Sequence, residues 1–445
     1  MMTTNKWKLA RIRDIGKVVT GRTPPTAVNN YFGDEYPFIT PSDMIGNKYI
    51  SNPERGLSSE GATLLKNNCL PPKSIAVSCI GWQMVKVAMI SRTSFTNQQI
   101  NTIIPNEQVE PDFIYYSLCT RRQELKTLGS VGTRTPILIK SSFENVQVLL
   151  PPFQTQRKIA FILSAYDDLI ENNTRRIAIL EEMSQALYRE WFVHFRFPGH
   201  EKIRMVESAL GMIPEGWEVV KVSAAVYIDP PTRLTKEGEK PFVPMGSLSN
   251  GSMLIDNIEY RAGNSGSKFK NGDTLFARIT PCIENGKTGY VQFLPSDETV
   301  AFGSTEFIVL RSRTLCPEYV YLMARSNEFR DNAIKSMSGA TGRQRVQTAC
   351  FDKFLIAQPD SAILTKFSEQ ISSIFRSIHV LAKKNTNLRR TRDLLLPKLI
   401  SGEVDVEGLD IETGEGMTEA VASIEEDIKK SAEVALVGEQ RTLWG

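Results

Sequence analysis

The chain has 445 residues, 41% hydrophobic and 23% charged, the balance of a water-soluble globular protein with room for two or three domains. No apolar run approaches the roughly 18 residues of a membrane span, and no short apolar stretch with a cleavage site follows the opening Met1-Met2-Thr3. The six cysteines (Cys69, Cys79, Cys119, Cys282, Cys316 and Cys350) form no C-x-x-C pair, so a cytoplasmic protein with reduced thiols is expected rather than a membrane protein, a disulfide scaffold or a zinc site.

The net charge of +3 hides an uneven distribution. Glu403 to Gly445 holds twelve acidic residues and three basic ones, leaving 50 basic against 38 acidic residues in the rest. A body of net charge +12 is suited to holding a phosphate backbone.

Residues 1–152 alternate short β-branched and aromatic runs with Gly, Pro and Asn. Lys73–Val77 and Ile100–Ile104 read as strands and Pro111–Leu118 as a short helix, an α+β pattern. Pro151-Pro152 then opens a stretch from Phe153 to Phe197 that has neither Gly nor Pro, closed by Pro198. That spacing predicts one long helix over 153–197. Along it Ile159, Leu163, Tyr166, Ile170, Asn173, Ile177, Leu180, Ser184 and Leu187 alternate by four and three, the seam of a coiled coil.

From 198 to 358 the first pattern returns, with a strand over Thr305–Leu310 and a helix over Pro317–Ala324. The correspondence has a period of roughly 205–210 residues. Trp7 answers to Trp217, Pro37-Phe38-Ile39 to Pro241-Phe242-Val243, Phe95 to Phe302, Phe143 to Phe351 and Pro151 to Pro359. A second long helix follows over 359–402, with Pro397 near its end. Its seam is Phe367, Ile371, Ile374, Ile378, Leu381, Asn385, Leu388, Arg392 and Leu395. The acidic tail, 403–445, is either disordered or helical over Thr418–Val437.

A seam on one helix needs a partner, and the simplest is the other long helix. The expected fold class is therefore α+β: two pseudo-repeated α+β domains separated by a pair of long antiparallel coiled-coil helices. In one register Asn173 faces Asn385, a polar pair that fixes alignment at some cost in stability. The alternative is that each helix packs only on its own domain.

Several fragments resemble catalytic motifs and each lacks an essential residue. Leu150-Pro151-Pro152-Phe153 and Asp229-Pro230-Pro231-Thr232 resemble the Asp/Asn-Pro-Pro-Tyr/Phe of amino-methyltransferases. The first lacks the polar residue and the second the aromatic that stacks on a flipped base. Gly286-Lys287-Thr288 resembles the end of a phosphate-binding loop, but the leading glycine is replaced by Pro281, which has no N–H for the cradle. Asn285-Gly286 reads instead as a hairpin turn between Leu275–Ile279 and Thr288–Phe293. His194, His200 and His379 have no metal partner at helical or hairpin spacing, so neither a catalytic nor a metal site is expected.

Longer phrases carry a specific resemblance. Gly211-Met212-Ile213-Pro214-Glu215-Gly216-Trp217, Gly272-Asp273-Thr274-Leu275-Phe276-Ala277-Arg278 and Gly303-Ser304-Thr305-Glu306-Phe307 resemble the DNA-specificity subunits of type I restriction–modification systems. So do Leu149-Leu150-Pro151-Pro152-Phe153-Gln154 and Leu395-Leu396-Pro397-Lys398-Leu399. The resemblance implies that each α+β domain is a target-recognition domain reading one half of a bipartite, asymmetric site in double-stranded DNA. It implies that the helices set the spacing and dock two DNA-methyltransferase (modification) subunits, which restriction/translocase subunits join. S-adenosylmethionine, ATP and Mg would serve those partners, with no cofactor bound by this chain. The alternatives are a specificity subunit of another restriction–modification class with the same duplicated reader, and a stand-alone DNA methyltransferase or nuclease.

Arginine and lysine supply phosphate contacts, whereas Arg, Asn and Gln also read base edges. Gly-rich loops that project such side chains give the candidates. In the first domain these are Arg22, Thr23, Gln83, Lys86, Thr133 and Arg134. In the second they are Arg278, Thr280, Asn285, Lys287, Arg343, Gln344 and Arg345. The last three align with the Arg134 loop in sequence, which suggests an arginine at an equivalent turn in both domains. Asn97-Gln98-Gln99 and Ser304-Thr305-Glu306 are weaker candidates, because they precede apolar strands where internal hydrogen bonding competes.

Overall fold

The computed structural model describes residues 7–50, 52–82, 84–130, 135–340 and 342–409. Gln83, Thr133, Arg134 and the Thr418–Val437 segment lie outside the described residues. Positions 7–170 with 387–409 form one compact unit, and 171–386 form a second.

The first unit begins with β1 (Lys8–Arg11), α1 (Ile12–Ile15), β2 (Gly16–Thr20), β3 (Phe32–Ile39), β4 (Arg55–Leu57) and α2 (Ser59–Leu64). It continues with β5 (Ile75–Ser78), β6 (Val87–Met89), β7 (Phe95–Thr96), β8 (Ile100–Pro105), α3 (Pro111–Thr120), α4 (Arg122–Ser130), α5 (Lys140–Glu144) and β9 (Gln147–Leu150). Strands β2-β8-β5-β6 make one sheet, β4-β3-β7 a second, and β1 pairs with β9. Strand β5 is buried along its whole length, because α3 covers the sheet and Phe113, Ile114 and Leu118 meet Ile75 and Val77 in one core. Proline at the start of α3 costs no hydrogen bond, since the first helical N–H groups have no intrahelical acceptor.

The long helix α6 (Phe153–Tyr188) follows. The second unit then comprises β10 (Met205–Ser208), β11 (Gly211–Pro214), β12 (Glu218–Lys221), α7 (Val222–Ala225), β13 (Val226–Ile228), β14 (Glu239–Val243), β15 (Glu259–Ala262) and β16 (Ser267–Phe269). Next come β17 (Thr274–Ala277), β18 (Thr288–Tyr290), β19 (Ala301–Gly303), β20 (Phe307–Ser312), α8 (Pro317–Arg325), α9 (Asn327–Lys335), β21 (Leu355–Gln358) and α10 (Ser361–Ser401).

The second unit repeats the first unit's topology. Strand order β13-β20-β17-β18 matches β2-β8-β5-β6, and β12 pairs with β21 as β1 does with β9. The parallel β14–β19 pairing, with Phe242 opposite Phe302, matches β3–β7, with Phe38 opposite Phe95. The chain is thus α+β and internally duplicated.

Each unit contains a segment of both long helices. In the first, Ile159 and Leu163 share a core with Leu395, Leu396 and Leu399. Arg392 binds Asp167, while Lys158 Nζ donates to Glu407 O (2.8 Å), so within this unit the two chain segments run in opposite directions. In the second, Ile177 and Leu180 share a core with Ile371, Ile378 and Leu381. There Asn173 Nδ2 donates to Asn385 Oδ1 at 2.9 Å.

The end of the first long helix differs from the sequence expectation. The α-helical part of the Gly- and Pro-free stretch stops at Tyr188, and a π turn occupies Arg189–Val193. Trp191, Phe192 and Phe197 cause the change by packing into an aromatic cluster of the second unit. Phe192 lies 4.6 Å from Tyr319 and 4.7 Å from Phe367, and Phe197 stacks on Trp217 at 5.3 Å. The other helix, Ser361–Ser401, stays within the expected 359–402 and contains Pro397. Burial of Leu399 and Ile400 in the first unit's core offsets the hydrogen bond that proline cannot make. Gly402, at φ +75°, takes over the stop.

Candidate nucleic-acid interface

In the second unit, separate sequence candidates come together. Thr280 N donates to Gln344 O (3.1 Å), Gln344 N to Thr280 Oγ1 (3.1 Å) and Val346 N to Arg278 O (2.9 Å), with Ile279 and Arg345 bridged. The loop after β17 and the 342–346 loop therefore form one edge that carries Arg278, Thr280, Gln344 and Arg345. Beside it lies a cleft of about 750 Å³ lined by Pro230, Pro231, Arg233, Lys268, Arg278 and Thr305 among others. The Arg278 Nε is buried and has no hydrogen-bond partner.

Three cations therefore face a cleft to which Asp229 also contributes. The Asp229 Oδ1 is already occupied by the Val309 N–H (2.8 Å), and burial pushes its carboxyl up from the usual carboxylate range. The methyltransferase-like Asp229-Pro230-Pro231-Thr232 phrase is thus a wall of this cleft. Thr232 Oγ1 accepts from Arg311 Nη2 at 3.2 Å, and Arg311 forms an ion pair with Asp273 at 2.7 Å.

Arg345 and Glu306 form a close pair. Arg345 Nε lies 3.1 and 2.9 Å from the two Glu306 oxygens, and Nη2 lies 2.6 Å from Oε1. These hydrogen bonds hold the Glu306 carboxyl below the ordinary glutamate value. Arg343 is exposed on the same loop.

The other second-unit candidates, Asn285 and Lys287, lie in the connection between β17 and β18. The hairpin read from Asn285-Gly286 is present, with a wide connection. The strands do pair antiparallel, with Phe276 opposite Thr288, but residues 278–287 form a longer loop with a helical turn inside it. Asn285 N donates to Pro281 O (3.0 Å) and Lys287 N to Cys282 O (3.0 Å). Gly286, at φ +75°, ends that turn in a conformation glycine adopts without a Cβ penalty. Asn285 is exposed, and Lys287 Nζ points to Met245 O at 3.3 Å.

The first unit builds the same edge. Gly81 N donates to Pro136 O (2.9 Å) and Leu138 N to Cys79 O (2.8 Å), with Ile80 and Ile137 bridged. Trp82 is 70% exposed on that loop. Arg22 is exposed and its N–H is held by Thr96 O (2.9 Å), while Thr23 Oγ1 donates to Gln98 Oε1 (2.7 Å). Gly21 permits this approach, since a Cβ there would sit 2.1 Å from Asn97 O. The Lys86 ammonium donates to Pro41 O at 2.9 Å. The ladder places Arg345 where the first unit has Ile137.

Arg233 and Lys268 were not among the sequence candidates, and Gln99 and Glu306 were only among the weaker ones. A signal for Arg233 was available: Pro24-Pro25-Thr26 recurs as Pro230-Pro231-Thr232, which marks the loops after β2 and β13 as equivalents. Among the described residues, no three His, Cys, Asp or Glu side chains gather as a metal site would, and no helix is long and apolar enough to cross a membrane.

A duplicated α+β reader with a cationic cleft defines a class, and comparison with known proteins agrees with it. Residues 4–182 match the family model described as type I restriction modification DNA specificity domain. The type I restriction enzyme MjaIX specificity subunit of Methanocaldococcus jannaschii is 28% identical over 418 residues, covering 91% of this chain and 94% of that protein. The HindI specificity subunit of Haemophilus influenzae is 37% identical over 147 residues, 33% of this chain and 32% of that protein. The crystal structure of a type I restriction–modification system S subunit from M. genitalium shares the fold, with a TM-score of 0.54 at 13% identity. That match covers 90% of this chain and 97% of the other.

Proposed function

We propose that this chain is the sequence-specific DNA-reading subunit of a type I restriction–modification complex. Each α+β domain reads one half of a bipartite, asymmetric site. The observation that supports this best is the recurrence of one loop edge in both units with different side chains on it: Ile80 and Ile137 in one, Ile279 and Arg345 in the other. The same scaffold with different surfaces suits two unlike half-sites.

The long helices set the separation of the readers and dock two modification subunits. At 1.5 Å per residue, a helix of 36 residues is about 54 Å long. The chain itself is non-catalytic. S-adenosylmethionine chemistry belongs to the modification subunits, and ATP and Mg²⁺ to the restriction/translocase subunits that join them.

The test is methyl transfer to DNA by the purified chain, by the modification subunits, and by both together. Sequence-specific methylation should need both components. Methylation by the chain alone would overturn the reading. DNA binding should also weaken with salt, log K falling by about 0.9 per phosphate contacted for each tenfold rise in salt.

A further inference from the structure

Backbone hydrogen bonds give a residue-by-residue correspondence between the two readers. In the first, Cys79 N donates to Gln99 O (2.8 Å) and Leu138 N to Cys79 O (2.8 Å). In the second, Arg278 N donates to Glu306 O (3.0 Å) and Val346 N to Arg278 O (2.9 Å). Gln99 therefore answers to Glu306, and Ile137 to Arg345. At this place one reader has an amide beside an aliphatic side chain, and the other an ion pair.

The geometry of that pair leaves a specific surface free. Glu306 takes the Nε–Nη2 edge of Arg345. A guanidinium has five N–H donors in a rigid fork, so those of Nη1 and the second N–H of Nη2 stay available on an exposed side chain. Pairing with a carboxylate cancels the charge that would draw Arg345 to a phosphate, and it leaves the directional donors in a fixed plane. A neutralised, oriented fork is suited to a base edge more than to the backbone.

We propose that Arg345 reads a guanine in the half-site of the second reader, its Nη1–Nη2 fork donating to guanine O6 and N7, and that Glu306 is the positioning residue that aims it. The inference rests on the DNA-reading role proposed above. It also predicts an asymmetry: the first reader has no arginine at the equivalent place. There Gln99 Oε1 instead accepts from Asn97 Nδ2 at 3.0 Å.

The experiment uses the full chain with its modification subunits, on duplexes carrying the target mapped from methylated sites. Each guanine of the second half-site is replaced in turn by 7-deazaguanine, which lacks N7. One replacement should weaken wild-type binding by about tenfold. Arg345→Ala and Arg345→Lys should both be indifferent to that replacement, the lysine because it keeps the charge without the fork. Glu306→Gln should lose part of the guanine preference while binding unrelated DNA more tightly, because it uncovers a charge. A purely structural role for Glu306 would not raise non-specific binding. Preference at the first half-site should be unchanged in every variant, which reports an intact fold.

The proposal is overturned if no guanine shows N7 dependence, if Arg345→Ala retains it, or if Arg345→Ala weakens all sequences equally. A wild-type complex with no sequence preference would instead refute the DNA-reading role itself.

Discussion

Replacing Asn385 by leucine should destabilise the second unit, although it removes a polar group from an apolar seam. Asn385 is 2% exposed and Asn173 9%, among Ile177, Ile378 and Leu381. Asn385 Oδ1 accepts from Asn173 Nδ2 at 2.9 Å, and its Nδ2 donates to Thr174 Oγ1 at 3.2 Å. Leucine deletes that acceptor and strands the Asn173 amide in the interior. Leaving a buried donor unsatisfied costs about 1–3 kcal/mol. Replacing both partners by apolar groups of similar size removes the orphan, so the Asn173→Leu/Asn385→Leu double variant should recover most of that loss.

Hydrogen exchange reads the effect locally. Where amides of α6 and α10 in the second unit exchange by unfolding of that unit, either single variant should speed them roughly 5- to 150-fold, corresponding to the same 1–3 kcal/mol. The double variant should return toward wild type, giving a favourable coupling in the double-mutant cycle. Two single variants that exchange like wild type would refute the reasoning. So would a double variant whose loss equals the sum of the singles.

Two further outcomes follow from pairs on each unit. Because the Arg345 hydrogen bonds hold the Glu306 carboxyl below its ordinary value, this pair's contribution should be complete above the ordinary glutamate pKa and vanish as pH falls through the lowered one. A carbon-detected titration of Glu306 should show the low midpoint, and Arg345→Ala should restore an ordinary one; an unchanged midpoint would contradict the pairing. In the first unit, Asp167 binds Arg392 and accepts from Tyr116 OH at 2.5 Å. Asp167→Ala leaves the buried Tyr116 hydroxyl and the half-buried Arg392 without that acceptor, so thermal unfolding should show a loss of about 1–3 kcal/mol, and Asp167→Asn a smaller one.

The sequence alone determined the duplication, the α+β class and the existence of two long helices. These are local or periodic signals. Prolines flank Gly-free stretches, apolar residues recur by four and three, and Phe95 and Phe302 recur in the same order as Phe143 and Phe351. It also placed Asn173 and Asn385 at matching steps of their seams, because seam spacing is carried by the helix period itself.

The tertiary structure decided the rest. The turn after Tyr188 follows from where Phe192 and Phe197 find aromatic partners in a distant segment, which no local propensity encodes. Pro397 stays helical because the residues after it are held in a core. The candidate interface likewise depends on long-range pairing. Arg278 and Arg345 are 67 positions apart in the chain, and only the bridge between Ile279 and Arg345 makes them neighbours. Long-range pairing also explains why Arg345 was read only as a loop arginine: its partner Glu306 lies in the turn before β20, and a single sequence has no term for contacts between segments so far apart.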